Sequence, residues 1–230
     1  MCGRYATTRN ETDLSLLFDA ADVTEGLGPS WNVAPTDAVP LVRMSQRHGG
    51  RVLDTGRWGL LPPWATDPRA GARMINARAE TVATSRAFAP SFARRRCLVP
   101  ADGWYEWVRD GKARQAYYMT PYDGSALAFA GIWTTWRDET LTCSVLTTAA
   151  LGGLARVHDR MPLILPAERW ADWLDGGGDD PAALLQPPSP AALEAIEVRA
   201  VRPDVGNVRN NGPDLTRPPA LPDTEPAALF

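Results

Sequence analysis

The chain has 230 residues, 44% of them hydrophobic and 22% charged, with a formal net charge of −3. That suffices for one full hydrophobic core. No run is long enough to span a membrane and no apolar stretch follows Arg4 and Arg9, so a soluble cytoplasmic protein is expected, nucleoid-associated if bacterial. Cys2, Cys97 and Cys143 are odd in number and widely spaced, which argues against a disulfide framework and a CxxC-type zinc site. No metal constellation or nucleotide-binding glycine loop stands out, so no cofactor is expected.

The acidic balance argues mildly against nucleic-acid binding by the whole chain, but it hides an asymmetry. Between positions 69 and 96, seven arginines stand against the single Glu80; between 159 and 198, eight acidic residues stand against two arginines. Arginine is the residue suited to forked contacts with phosphate and to stacking on aromatic rings.

In chain order, "MCGRYATT" puts a thiol one residue from the start. "NETDLSLLFDAA" places Leu14, Leu17 and Phe18 at helical spacing behind polar cap candidates. "WNVAPT" reads as a fixed turn around Asn32 and Pro35. "VPLVRM" and "RVLDTGRWGL" read as strands, and "RWGLLPPW" sets Trp58 and Trp64 about a rigid double proline. "NARAETVATS" predicts a short helix carrying Arg78 and Glu80, with Asn76 at its junction with a preceding strand. Strands follow in "RCLVPADGWYEWVR", "QAYYMTPY", "SALAFAGIWTTW", "LTCSVLTTAA" and "RMPLILP", and Asp-Gly in "VRDGKAR" marks a hairpin. Helices return in "PAERWADWLDGGG", opened by Pro166 and stopped by Gly176, then in "DDPAALLQ" and "SPAALEAI". The fold class is α+β: a curved, largely antiparallel sheet or open barrel with short flanking helices. With no Gly/Ser linker, residues 1–212 read as one domain and the Pro-rich 213–230 as a loosely held tail.

Cys2 is the leading chemical candidate. If Met1 is removed, Cys2 carries an α-amine of pKa about 8, against about 10.4 for lysine, and so holds far more free base at neutral pH. Such an amine attacks an aldehyde, and the imine then lies beside the thiol of the same residue. Ring closure gives a five-membered thiazolidine, with the entropy of approach already spent. The same pair can instead attack an amide, the amine acting as base for the thiol.

Glu106 lies in "ADGWYEWV". A strand period of two puts Trp104, Glu106 and Val108 on one face and Tyr105 and Trp107 on the other. A carboxylate among aromatic rings is costly unless paired or functional; a raised pKa suits acid–base work, and an arginine salt bridge is the alternative. His158, in "LARVHDRMPLIL", occupies a shaped turn before a strand and reads equally as structural or catalytic, whereas His48 in "SQRHGGR" reads as a solvated surface residue. Asn76 is either a cap or a substrate-orienting amide. Tryptophans beside arginines supply what single-stranded nucleic acid needs, rings for bases and cations for phosphates, although core packing is the commoner use of Trp.

Seven motifs in order carry a resemblance: "MCGRYA", "WNVAPT", "WGLLPPW", "MINARAET" with "TSRAF", "CLVPADGWYEW", "VHDRMPLIL" and "VGNVRNNG". The sequence resembles the SOS-response-associated peptidase (SRAP) family, whose members crosslink to abasic sites in single-stranded DNA. The resemblance implies that Cys2 forms the thiazolidine with the sugar aldehyde and that Asn76 holds the N-terminal residue and the sugar. It implies that Glu106 manages the proton of the amine and His158 acts as acid on the sugar-ring oxygen. It sets Arg4, Arg78 and Arg86 on phosphates, and Pro35 and Trp64, with Asn32 nearby, where DNA is wedged and stacked. It implies a monomer whose partner is abasic single-stranded DNA, with lyase and self-processing peptidase activity as accompaniments. Ala65 departs from members with two adjacent Trp at the wedge. The rival readings are an N-terminal cysteine peptidase or amidase and a non-catalytic single-strand-binding module.

Overall fold

Alternating apolar residues in the middle of the chain build two sheets. The computed structural model describes residues 2–24, 26–111, 113–137, 140–175 and 181–219. Its strands are β1 (Tyr5–Thr7), β2 (Ala21–Asp22), β3 (Ser30–Val33), β4 (Ala38–Ser45), β5 (Gly50–Trp58), β6 (Asn76–Arg78), β7 (Arg96–Ala101), β8 (Gly103–Asp110), β9 (Ala113–Pro121), β10 (Leu127–Trp136), β11 (Thr140–Ala149), β12 (Arg160–Pro162) and β13 (Ile196–Val201). The helices are α1 (Glu11–Phe18), α2 (Ala89–Arg94), α3 (Trp170–Asp175) and α4 (Pro190–Glu194).

The larger sheet runs β12-β11-β10-β7-β4-β5-β2, and β11 also pairs in parallel with β5 through Thr142↔Arg57 and Cys143↔Trp58. That pairing closes β11, β10, β7, β4 and β5 into a five-stranded barrel. Beyond the seam, β11 takes β6 as a parallel neighbour, Val145 opposite Asn76 and Thr147 opposite Arg78. The second sheet, β13-β9-β8-β1-β3, is antiparallel. The expected antiparallel barrel is thus present, but closed, with a second sheet beside it.

Two-residue periodicity divides the barrel side chains. Leu41, Trp58, Cys97, Val99, Phe129, Cys143 and Val145 form one buried cluster with Cys2, Tyr5, Trp104 and Met119 of the N-terminal segment and second sheet. Their alternates Val42, Leu53, Leu98, Ile132 and Leu146 pack against Leu14 and Phe18 of α1, Phe92 of α2 and Trp173 of α3. Burying each large side chain contributes about 1.5–3 kcal/mol. In α1, Asn10 caps the Asp13 amide at 2.8 Å; Leu14 and Phe18 are buried as expected, whereas Leu17 is 44% exposed.

Several expectations change. Asn76–Arg78 is a strand followed by turns, not the start of a helix. The free side of β11 pairs its backbone, and Thr81, Val82 and Thr84 disfavour helix through their β-branches. "WNVAPT" is the end of β3 followed by a turn. "RCLVPADGWYEWVR" breaks at Asp102 into strands of different sheets, because the Asp102 amide donates to the Ala6 carbonyl of the second sheet. Proline-led α2 and the strand β13 were not anticipated. "PAERWADWLD" starts as a 3-10 turn (Ala167–Arg169) before α3, and "PAALL" is a 3-10 turn; the Gly176 stop falls outside the described residues. The β8–β9 hairpin closes as expected, its register running to Asp110↔Ala113 with Gly111 at φ 57°. The expected tail begins packed: Leu215 is buried against the cluster of Ala6, Tyr105 and Val201. Residues 220–230 fall outside the described residues.

Gly59 serves the site. It has φ 133°, and a Cβ there would lie 2.5 Å from the Gly71 carbonyl oxygen. This backbone contact requires glycine and pins the loop that displays Trp64.

Candidate active site

Four elements bring the chemical candidates together. The β1–β8 pairing, Tyr5 opposite Trp104, leads the N-terminal segment alongside Glu106. β6 presents Asn76, whose Nδ2 donates to the Cys2 carbonyl at 2.6 Å. Asn76 Oδ1 is buried without a hydrogen-bond partner among the described residues, an acceptor available to a ligand. Cys2 is 1% exposed, far from the frayed end its position suggests. Burial pushes its thiol pKa well up, and the charge of Glu106 adds to the shift.

Glu106 is 3% exposed, on the Trp104 face as the alternation predicts. Burial raises its pKa to about 7, against the pull of the positive amino terminus. His158 sits in the turn before β12. Its Nδ1 lies 2.9 Å from the Arg160 amide and 2.7 Å from Asp159 Oδ1. That nitrogen serves one of them at a time: unprotonated, it accepts from the amide; protonated, it donates to Asp159. Burial lowers the His158 pKa, so at neutral pH the ring is neutral, Nδ1 accepts from Arg160 and Nε2 carries the hydrogen. Burial therefore moves the two groups in opposite directions, the Glu106 carboxyl up and the His158 imidazole down.

Both groups line a cleft of about 300 Å³ with Gly3, Arg4, Trp107, Arg114 and Gly206. Arg4 Nη1 donates to Asn32 Oδ1 at 2.7 Å and to the Val205 carbonyl at 2.8 Å. Asn32 Nδ2 in turn donates to the carbonyls of Asn207 and Asn210. Asn32, expected among the DNA contacts, is thus 3% exposed and fully engaged; it clamps Arg4 to the "VGNVRNNG" loop. Trp107 and Arg114 were not singled out from the sequence. Arg114 lies 4.7 Å and Arg4 5.8 Å from the Trp107 ring centroid. Strand alternation set Trp107 on the face away from Glu106, and only the hairpin register brings Arg114 to the cleft.

The rim is different. Arg78 and Arg86 are exposed, Trp64 is 53% exposed, and Arg86 lies 5.4 Å over the Trp64 ring. Pro35 is half-buried in the turn after β3. Thr36 beside it has φ 78°, unusual for a β-branched residue. That conformation is held by its amide donating to the Trp58 carbonyl at 2.8 Å and by Asp37 Oδ2 accepting from the Ala34 amide at 2.8 Å. Strain of this kind, held by surrounding bonds, is a mark of functional turns. Arg160 reaches Glu80 through two bonds of 2.6 and 2.9 Å and also bonds the Thr147 carbonyl, bracing the His158 turn against β11.

Among the described residues no group of three His, Cys, Asp or Glu is placed to hold a metal, and no helix is long and apolar enough to cross a membrane.

Comparison with known proteins places the chain in a family. Residues 1–208 match the model of the family described as SOS response associated peptidase (SRAP). The abasic site processing protein YoqW of Bacillus subtilis is 36% identical over 94% of this chain and 98% of its own length. YedK of Escherichia coli, of the same description, is 34% identical over 95% and 100%. A crystal structure of a Bacteroides thetaiotaomicron protein superposes with a TM-score of 0.81 at 22% identity, covering 95% of this chain and 100% of that one, which shows a shared fold. A Bordetella bronchiseptica protein, 26% identical, gives a TM-score of 0.71 over 87% and 100%. The chain belongs to the SRAP family.

Proposed function

We propose that this protein processes abasic sites in single-stranded DNA by forming a covalent thiazolidine between Cys2 and C1′ of the lesion. The observation that carries the reading is the convergence on Cys2: its carbonyl is held by Asn76, and Glu106 and His158 share the adjoining cleft. The relatives described as abasic site processing proteins support the same substrate.

The chemistry requires Met1 to be removed. The sugar opens when the protonated fraction of His158 gives a proton to the ring oxygen and the C1′ hydroxyl gives one to water. The free α-amine adds to the aldehyde, Glu106 accepting its proton, and water leaves as the imine forms. The thiol sulfur then bonds C1′ and its proton passes to the imine nitrogen. The net change is aldehyde plus cysteine giving thiazolidine plus water. Burial of the thiol keeps it protonated until the imine is present, so the amine acts first. Before ring closure the imine acidifies the C2′ proton, which accounts for β-elimination as a side activity. Removal of the residue ahead of Cys2 accounts for the peptidase in the family's description.

Arg4, Arg78 and Arg86 hold phosphates, Pro35 and Trp64 wedge and stack the neighbouring bases, and Asn32 acts by holding Arg4. The protein works as a monomer, with 1–212 as its working domain.

The test is incubation with single-stranded DNA bearing one abasic site, read as a DNA-linked band that survives denaturation. Cys2→Ala is expected to abolish that band, and an unchanged band in Cys2→Ala rules the thiazolidine out. A binding module would give no stable band. An N-terminal cysteine peptidase would cleave added peptides and ignore the aldehyde.

A further inference from the structure

The arginine–tryptophan pair at the rim is joined through the Trp64 loop to a second such pair. One residue beyond Trp64, the Ala65 carbonyl accepts from Trp136 Nε1 at 2.8 Å, and the next carbonyl, of Thr66, accepts from Arg137 Nη2 at 3.4 Å. Arg137 lies 5.0 Å over the Trp136 ring. Two residues back along β10, on the face of Trp136, Thr134 Oγ1 accepts from Arg95 at 3.1 Å; Arg95 also lies 5.8 Å from the ring of Trp133, which faces the other side of the strand and carries Arg43 at 4.9 Å. Trp133 borders the hollow of about 1060 Å³ that Arg47, Arg94 and Arg95 also line.

This hollow lies at the far end of the barrel. Leu141, on its wall, stands six residues along β11 from Thr147, the partner of Arg78; at the usual rise per strand residue the separation is about 20 Å. Arg43 is neutralised by Asp54 at 2.6 Å. Arg47, Arg94, Arg95 and Arg137 are exposed, and none is paired with a carboxylate among the described residues.

In a chain of net charge −3, three guanidiniums on indole rings, Arg86, Arg95 and Arg137, with no carboxylate partner among the described residues, are a specific feature. Cations at intervals along a wall, with aromatic rings between them, track the backbone of a single strand. A guanidinium already stacked loses less freedom when it meets a phosphate. Trp133 and Trp136 are partly buried, so contacts beyond Trp64 are mainly to phosphate.

We infer that the single strand leaving the lesion runs from Trp64 and Arg86 past Trp136 and Arg137 to the Trp133–Arg95 hollow, a second phosphate-binding surface remote from Cys2. The inference rests on the single-stranded DNA reading given above.

Binding is measured with a tetrahydrofuran abasic analogue, which has no aldehyde and so reports association without crosslinking. One strand is about five nucleotides long; others extend by about fifteen on the 5′ or the 3′ side. The parent protein is expected to bind one of the extended strands about tenfold more tightly than the short one. Arg95→Glu with Arg137→Glu should erase that gain, lower the log–log salt slope by about 1.4, and leave short-strand binding unchanged. Unchanged short-strand binding also shows that the variant is folded. Arg47→Glu, which alters an exposed side chain away from the Thr134 contact, should show a smaller loss of the same kind. The inference is overturned if the variants keep the full gain with length, or if a gain appears only when a complementary strand makes the extension duplex. Failure of the parent to bind even the short strand would instead sink the single-stranded DNA reading itself.

Discussion

Two glutamates near one cleft behave in opposite ways. Glu106 is 3% exposed, and burial raises its pKa to about 7. Glu80, half-exposed on the rim, has its pKa lowered by its bonds to Arg160. The first is a charge the fold shields from water beside Cys2 and His158. The second is a strut that braces the His158 turn. The same residue type keeps its proton to higher pH or holds its charge more firmly according to whether burial strips water from it or a cation compensates it. The same division runs through the arginines: Arg4 is tied into the wall by Asn32, whereas Arg78 and Arg86 project from the rim.

The sharpest test of this contrast is Glu106→Gln. It should slow crosslinking about a hundredfold or more, in single-turnover assays with abasic DNA. In the parent the rate should fall as pH drops below about 7, where Glu106 takes up a proton; in the variant that limb should disappear. Stability should move the other way. A carboxyl whose pKa is raised on folding favours the fold below its unfolded value, and that contribution is lost as pH rises through about 7. Denaturant titrations should therefore find Glu106→Gln more stable than the parent by about 1–3 kcal/mol at pH 8, with no difference near pH 4.

Smaller effects belong to the rim. Arg78→Ala and Arg86→Ala should weaken binding of abasic-analogue DNA and reduce the salt slope by about 0.7 each, with the crosslinking rate at saturating DNA nearly unchanged. A loss of rate without a loss of affinity would move these arginines into the chemistry. The smallest effect is expected for Glu80→Gln. An exposed pair contributes at most about 1 kcal/mol, so thermal melts should shift slightly and crosslinking by no more than about twofold. If Glu80→Gln slowed crosslinking as much as Glu106→Gln, the division between reactive interior and supporting rim would fail.

Local pattern carried a large part of the molecule. Period-two alternation predicted the long strands and the face of Glu106, and Asp-Gly marked the β8–β9 turn. Alternation and capping are set by neighbours in the chain, so they can be read without the fold. The chemistry of an N-terminal cysteine is likewise a property of one residue.

What depended on distant partners was out of reach. Asn76–Arg78 became a strand because β11 offered it an edge, although its sequence suggests a helix. Asn32 turned inward because the carbonyls of Asn207 and Asn210 saturate its amide. Arg114 reached the cleft through hairpin register alone. The opposite pKa shifts of Glu106 and His158 arise from burial, which no residue's identity specifies. Closure of β5 onto β11 set the two ends of the barrel, and the Trp136 bond to the Ala65 carbonyl set the Trp64 loop against β10. Composition and spacing name the reactive groups, but desolvation and long-range pairing set their protonation and their neighbours, because both depend on which segments exclude water together.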